Sequence, residues 1–174
     1  FCKSNLYDSL TQIAAAHDSG TVLSGANLDD LGEYRPGLDA AAERGVRHPW
    51  IEAEFTKEDI RTLARALNVS FAELPSSPCL ASRLYTGTRV TAERLRAVHA
   101  CETRIKEQTG LAVVRCRVRG DQIIVEVGDA DRTAITARLL DDLATLAATQ
   151  EPGIVSAVLD GEAYRPGRAF VGQK

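Results

Sequence analysis

The 174-residue chain contains no methionine, one tryptophan and few aromatic side chains, 5% in all. A chain without methionine cannot start at its own initiation codon, so it is expected to be a trimmed piece of a longer protein. Phe1-Cys2-Lys3 opens a helical pattern without a cap or turn before it, which supports the same expectation. No apolar run approaches the length of a membrane span and no signal peptide is recognisable, so a cytoplasmic protein with no membrane partner is expected. Positive charge is not in excess either: a net charge of −3 and a pI near 5.7 argue against nucleic acid as the main partner. Cys-x-x-Cys pairs and Cys/His clusters are also lacking. The four cysteines, Cys2, Cys79, Cys101 and Cys116, are spaced too irregularly for a zinc or iron–sulfur site, and no secretory context supports a disulfide framework.

With 44% hydrophobic and 26% charged residues, the chain can bury one good core, or one core and a smaller satellite. Apolar spacing predicts a helix from Leu6 to Ala16, then a short buried strand at Thr21-Val22-Leu23. A short alanine-rich helix from Leu38 to Arg44, a strand around Trp50-Ile51-Glu52 and a helix capped by Thr56 and running to about Leu67 follow. This alternation predicts α/β architecture, a parallel doubly wound sheet whose first strands precede Phe1. Beyond it, Thr91 caps a helix through Gln108, and strands at Leu111–Arg119 and Gln122–Val127 form an antiparallel hairpin about Gly120-Asp121. A helix from Asp131 to Thr149 and a strand from Ile154 to Leu159 complete a smaller α+β unit, αββαβ. The expected division is 1–86 and 87–174, with the boundary near residues 84 to 90.

The stretch Leu74-Pro75-Ser76-Ser77-Pro78-Cys79-Leu80-Ala81-Ser82-Arg83 sets a lone cysteine between prolines and an arginine. Both prolines restrict their own φ and the residue before them, so a stiff extended loop presents Cys79. Arg83, folded back on the sulfur, would favour thiolate over thiol and make Cys79 the reacting atom. The competing reading is a small buried hydrophobe. In the first hairpin strand, alternation places Arg115, Arg117 and Arg119 on one face and Val114, Cys116 and Val118 on the core side. The arginine row is either an anion-binding surface or the solvated face of a half-covered sheet. Glu126 on the partner strand is then its salt-bridge partner, a metal ligand or a general base. Tyr-Arg-Pro-Gly occurs twice, at Tyr34–Gly37 and Tyr164–Gly167, so Arg35 and Arg165 could meet a common anionic ligand. Gly25, Asn27 and Asp30 lie in a loop that follows a strand, the usual ligand edge of open α/β sheets; the alternative is an ordinary Asx-rich turn.

Together these residues resemble the LarE family, ATP-dependent sacrificial sulfur transferases of nickel-pincer cofactor synthesis within the PP-loop ATP pyrophosphatase superfamily. The matching pieces are Phe1-Cys2-Lys3 with Leu6-Tyr7, Gly25-x-Asn27-x-Asp29-Asp30, Tyr34-Arg35-Pro36-Gly37, Thr56-Lys57-x-x-Ile60-Arg61, Pro75-Ser76 with Cys79-Leu80-Ala81-Ser82-Arg83, and Arg115-x-Arg117-Val118. The family's Ser-Gly-Gly-x-Asp-Ser loop does not occur in the chain, and Ser24-Gly25-Ala26-Asn27 replaces the more usual Asp-Gly-Thr-Asn. The resemblance implies a PP-loop-type parallel sheet domain and a reaction on a small nucleotide-like substrate, a pyridinium biscarboxylic acid mononucleotide. ATP with Mg²⁺ adenylylates a carboxylate, the Cys79 sulfur is donated, and dehydroalanine is left on the protein. It further implies Arg83, Arg115 and Arg117 as a phosphate clamp, Arg35 and Arg165 as substrate or adenylate contacts, and Gly25, Asn27 and Asp30 as nucleotide contacts. Glu102 and Glu126 match acidic site positions of metal-binding type, with Glu126 also a catalytic candidate. A homo-oligomer is expected, and the piece alone is expected to be inactive. Two alternatives stand beside this: an adenylylating tRNA thiolase or amide ligase with a structural cysteine, and a folded remnant without activity.

Overall fold

Helix ends follow the capping side chains. In a computed structural model of the chain, which describes residues 2–17, 20–32, 36–74 and 77–165, Thr56 accepts the Asp59 N–H at 3.2 Å while Asp59 accepts the Thr56 N–H at 2.9 Å. This reciprocal capping box starts α4 (Lys57–Ala66) where the sequence predicts a start. The chain forms two compact units, 1–74 and 75–174.

The first unit holds α1 (Cys2–Ala16), a 3-10 turn at Leu28–Gly32, α2 (Pro36–Ala42), α3 (Pro49–Glu52) and α4. Its small core is Tyr7, Ala40, Ala41 and Val46, flanked by Leu10 and Val22. Strand structure departs from expectation here. Among the described residues the predicted parallel sheet is reduced to one parallel bridge, Leu23 to Arg47, with the Ser24 N–H donating to the Arg47 carbonyl. Trp50-Ile51-Glu52 is helical, not extended. Pro49 at the first helical position has its φ preset and needs no N–H partner, so it starts α3 instead.

In the second unit, Thr91 caps α5 (Ala92–Thr109) and Gly110 ends it in the left-handed region at φ 72°. The antiparallel hairpin is β1 (Arg115–Arg119) with β2 (Gln122–Glu126), and β3 (Ser156–Leu159) adds parallel to β2, giving the order β1-β2-β3. The unit is therefore mixed α/β around a three-stranded mixed sheet. The helix expected from Asp131 is broken into a 3-10 turn, Asp129–Ala134, and α6 (Ala137–Gln150). The cause is Thr136, whose hydroxyl accepts the Leu139 N–H and so favours a fresh helix start over continuation. Val98, Cys101 and Ile105 of α5 pack with Cys116 and Val118 of β1, Ile123 and Val125 of β2, and Leu143 of α6. Each fully buried aliphatic side chain there stabilises by about 1.5–3 kcal/mol.

The units divide at Leu74/Pro75, ahead of the expected 84 to 90. The 3-10 turn Leu80–Arg83 belongs to the second unit because Leu84 enters its core and bridges in parallel to Val118 on the outer edge of β1. Among the described residues no helix is long and apolar enough to cross a membrane.

Candidate active site

β1 reads Arg-Cys-Arg-Val-Arg, and the period of two sends Cys116 and Val118 to the core and the arginines to the other face. A solvated face would leave all three exposed. Instead Arg115 and Arg117 are 7% and 4% exposed, while Arg119 reaches solvent with its guanidinium over the Tyr85 ring. Arg117 Nε donates to Glu126 Oε1 at 2.8 Å and its Nη1 donates to the Ser82 carbonyl at 3.0 Å. Of the roles open to Glu126, the salt-bridge partner is the one observed. Arg115 donates to the Val114 carbonyl, and its guanidinium lies 5.3 Å from the ring centre of Tyr164.

Arg83 is buried too. Its Nε and Nη2 donate to the two Glu102 oxygens at 2.9 and 3.2 Å, and its Nη1 donates to the Pro78 carbonyl and the Ser82 hydroxyl. Glu102 Oε1 also accepts the outward N–H of Cys116, covering the edge of β1 where another strand could otherwise pair. The consequence is mechanical: Arg83 holds Pro78 and Arg117 holds Ser82, so the Cys79 loop is gripped on both sides of the cysteine. All three expected clamp arginines therefore hold protein groups, and of them Arg83 and Arg115 also line an open space.

That space is a cleft of about 380 Å³ lined by Cys79, Arg83, His99, Glu102, Lys106 and Arg115, among others. Three cations face one carboxylate there, a charge balance suited to anions. Cys79 is exposed, whereas Cys101 and Cys116 are buried. Burial pushes the Cys101 thiol up to about 12 and raises that of Cys116 well above its ordinary range, so both stay protonated and inert. His99 and Lys106 were not singled out from sequence. Their signal was available: His99, Glu102 and Lys106 recur at i, i+3 and i+7, on the face of α5 that flanks the core-facing Val98, Cys101 and Ile105.

The expected metal role of Glu102 and Glu126 does not fit. Each carboxylate carries an arginine, and among the described residues no three His, Cys, Asp or Glu side chains stand together as ligands. Gly25 and Asp30 line a separate cleft of about 350 Å³ in the first unit, with Lys3, Tyr7 and Ser24. Asp30 accepts the Asn27 N–H at 3.0 Å and Asn27 accepts the Asp29 N–H at 3.1 Å, the arrangement of Asx turns. A Cβ at Gly25 would meet open space, consistent with its place on the wall of that cleft. Arg165 is exposed and paired with Glu162 at 2.7 Å. Arg35 lies outside the described residues.

No family model matches the chain. It is 35% identical over 170 residues to an uncharacterised protein of Synechocystis, covering 97% of this chain and 62% of that one. It is 35% identical over 130 residues to pyridinium-3,5-bisthiocarboxylic acid mononucleotide synthase of Lactiplantibacillus plantarum, 75% of this chain and 47% of that one. An uncharacterised protein of Methanocaldococcus jannaschii is 28% identical over 128 residues, 74% of this chain and 50% of that one. The chain thus spans between 47% and 62% of the length of these curated relatives. Its motifs and this shared sequence make it a homologue of pyridinium-3,5-bisthiocarboxylic acid mononucleotide synthase, and so a relative within the LarE family.

Proposed function

We propose that this chain carries the sulfur-donating part of an ATP-dependent sacrificial sulfur transferase that acts on a pyridinium biscarboxylic acid mononucleotide. The observation that carries the reading is Cys79: an exposed thiol on a loop gripped by two buried arginines, at the edge of a cleft where cations outnumber carboxylates. In this reading ATP is a co-substrate that adenylylates a substrate carboxylate and releases pyrophosphate. The Cys79 sulfur attacks the activated carbonyl, AMP leaves, and scission of the cysteine Cβ–S bond passes sulfur to the product. Dehydroalanine remains at position 79, so each protein molecule turns over once.

The chain's own residues supply three things to this chemistry. Arg83 and Arg117 fix the loop, which lowers the entropy cost of placing the sulfur against a carbonyl. Arg115 and Lys106 bring positive charge to an anionic substrate. Burial of Cys101 and Cys116 removes competing thiols.

The test is intact-mass analysis of full-length protein incubated with substrate and ATP. The expected result is loss of the elements of H₂S, mapped to the Cys79 peptide. An unchanged mass overturns the reading, and a Cys79→Ala protein that keeps turning over points to the amide-ligase or tRNA-thiolase chemistry instead.

A further inference from the structure

The sulfur-transfer reading leaves one step without an actor. Breaking the Cβ–S bond of a cysteine by elimination requires a base at its α-hydrogen. Glu126, the carboxylate that alternation brought forward, is fully buried against Arg117 and is not part of the cleft that holds Cys79. Glu102 does line that cleft, but Arg83 occupies both its oxygens and the Cys116 N–H shares one of them. Drawing Glu102 toward Cys79 would strand Arg83, which is 3% exposed. Lys106 lines the cleft too, where its charge is among those set against an anionic substrate.

The remaining group is His99. It lines the same cleft as Cys79, is exposed, and among the described residues no hydrogen bond or ion pair engages its ring. Its backbone is firmly held, because its helical neighbours Val98, Cys101 and Ile105 are fully buried in the core. An imidazole is the side chain that accepts and releases a proton near neutral pH. We infer that His99 is the general base that takes the α-hydrogen of Cys79 once its sulfur is bonded to the substrate carbonyl. The imidazole nitrogen receives the hydrogen as a proton, and the C–H electron pair becomes the Cα=Cβ bond of dehydroalanine. The Cβ–S pair departs with sulfur as the product thiocarboxylate, and the imidazolium returns its proton to water. No oxidant or reductant enters the balance. The assignment rests on the sulfur-transfer reading, and it separates two steps that reading leaves merged: attack by sulfur, which does not use His99, and elimination, which does.

The experiment follows full-length wild-type and His99→Ala protein by intact mass after mixing with substrate and ATP. Wild type should pass through a covalent protein–substrate adduct to dehydroalanine. His99→Ala should form the adduct and then stall, with dehydroalanine appearing about 10²–10⁴-fold more slowly, the usual contribution of a positioned base. Added imidazole should restore part of that rate, a rescue that a merely structural role would not show. Because His99 is exposed, the variant should keep its thermal melt; should it not, His99→Gln takes its place. Elimination at the wild-type rate in the variant, or an adduct that forms no faster than it is lost, overturns the assignment while leaving sulfur transfer standing. Wild type that yields neither adduct nor dehydroalanine overturns both.

Discussion

Each cysteine owes its reactivity to surroundings rather than to its type. Exposed Cys79 and Cys2 should react with iodoacetamide in the native protein, while Cys101 and Cys116 should react only after unfolding; peptide mapping that finds Cys101 labelled as fast as Cys79 contradicts this. The same burial gives a stability signature. Folding holds the Cys101 proton up to a pKa of about 12, whereas an unfolded thiol titrates at about 8.5. The stabilisation is therefore complete below about pH 8.5 and is lost as pH rises toward about 12. The urea midpoint should fall across that window, and less steeply in Cys101→Ala; a flat wild-type profile contradicts the burial. Arg83 and Glu102 form the residue pair on which the site depends. Glu102→Ala should destabilise the second unit by about 3–5 kcal/mol, because it leaves a buried guanidinium without its carboxylate. Denaturant titration measures it, and a loss under about 1 kcal/mol would mean that water replaces the pair.

Among the elements, α5 does most to define the site. One of its faces is core and the adjoining one lines the Cys79 cleft, so any change in its length or phase moves both. Gly110 ends it at φ 72°, where an added Cβ is strained even though space is open around it. Gly110→Ala should cost about 1–2 kcal/mol, read as a lowered melting temperature, and a neutral substitution would show that the helix end can relax. β1 is the complementary element: an edge strand whose outer N–H groups are covered by Glu102 and by the Leu84 bridge. The sheet is thereby tied to the loop that carries the cysteine.

At the scale of the whole molecule, stability should be uneven. The second unit surrounds a continuous core, while the first has a small one and leaves Leu23, Leu31, Leu67 and Phe71 more than half exposed. Amide hydrogen exchange should be slowest in β1, β2 and α5 and faster in α1 and α2; uniform protection would show that the first unit is stabilised by more than its own core. What could be read in advance was the part governed by short-range physics. Thr56 and Thr91 as caps, Gly110 as a stop, the hairpin about Gly120 and the inward turn of Cys116 are decided by neighbours within a few positions, and the LarE resemblance was legible in contiguous motifs. The parallel sheet, the unit boundary and the partners of the arginines were not, because each depends on residues far apart in the chain. Alternation put Arg115, Arg117 and Arg119 on one face, but only packing decided that two are buried, that Glu126 and Glu102 neutralise Arg117 and Arg83, and that His99 and Lys106 share a cleft with Cys79. Charges in a one-dimensional string carry no burial, and only packing determines which carbonyl or carboxylate each buried arginine holds.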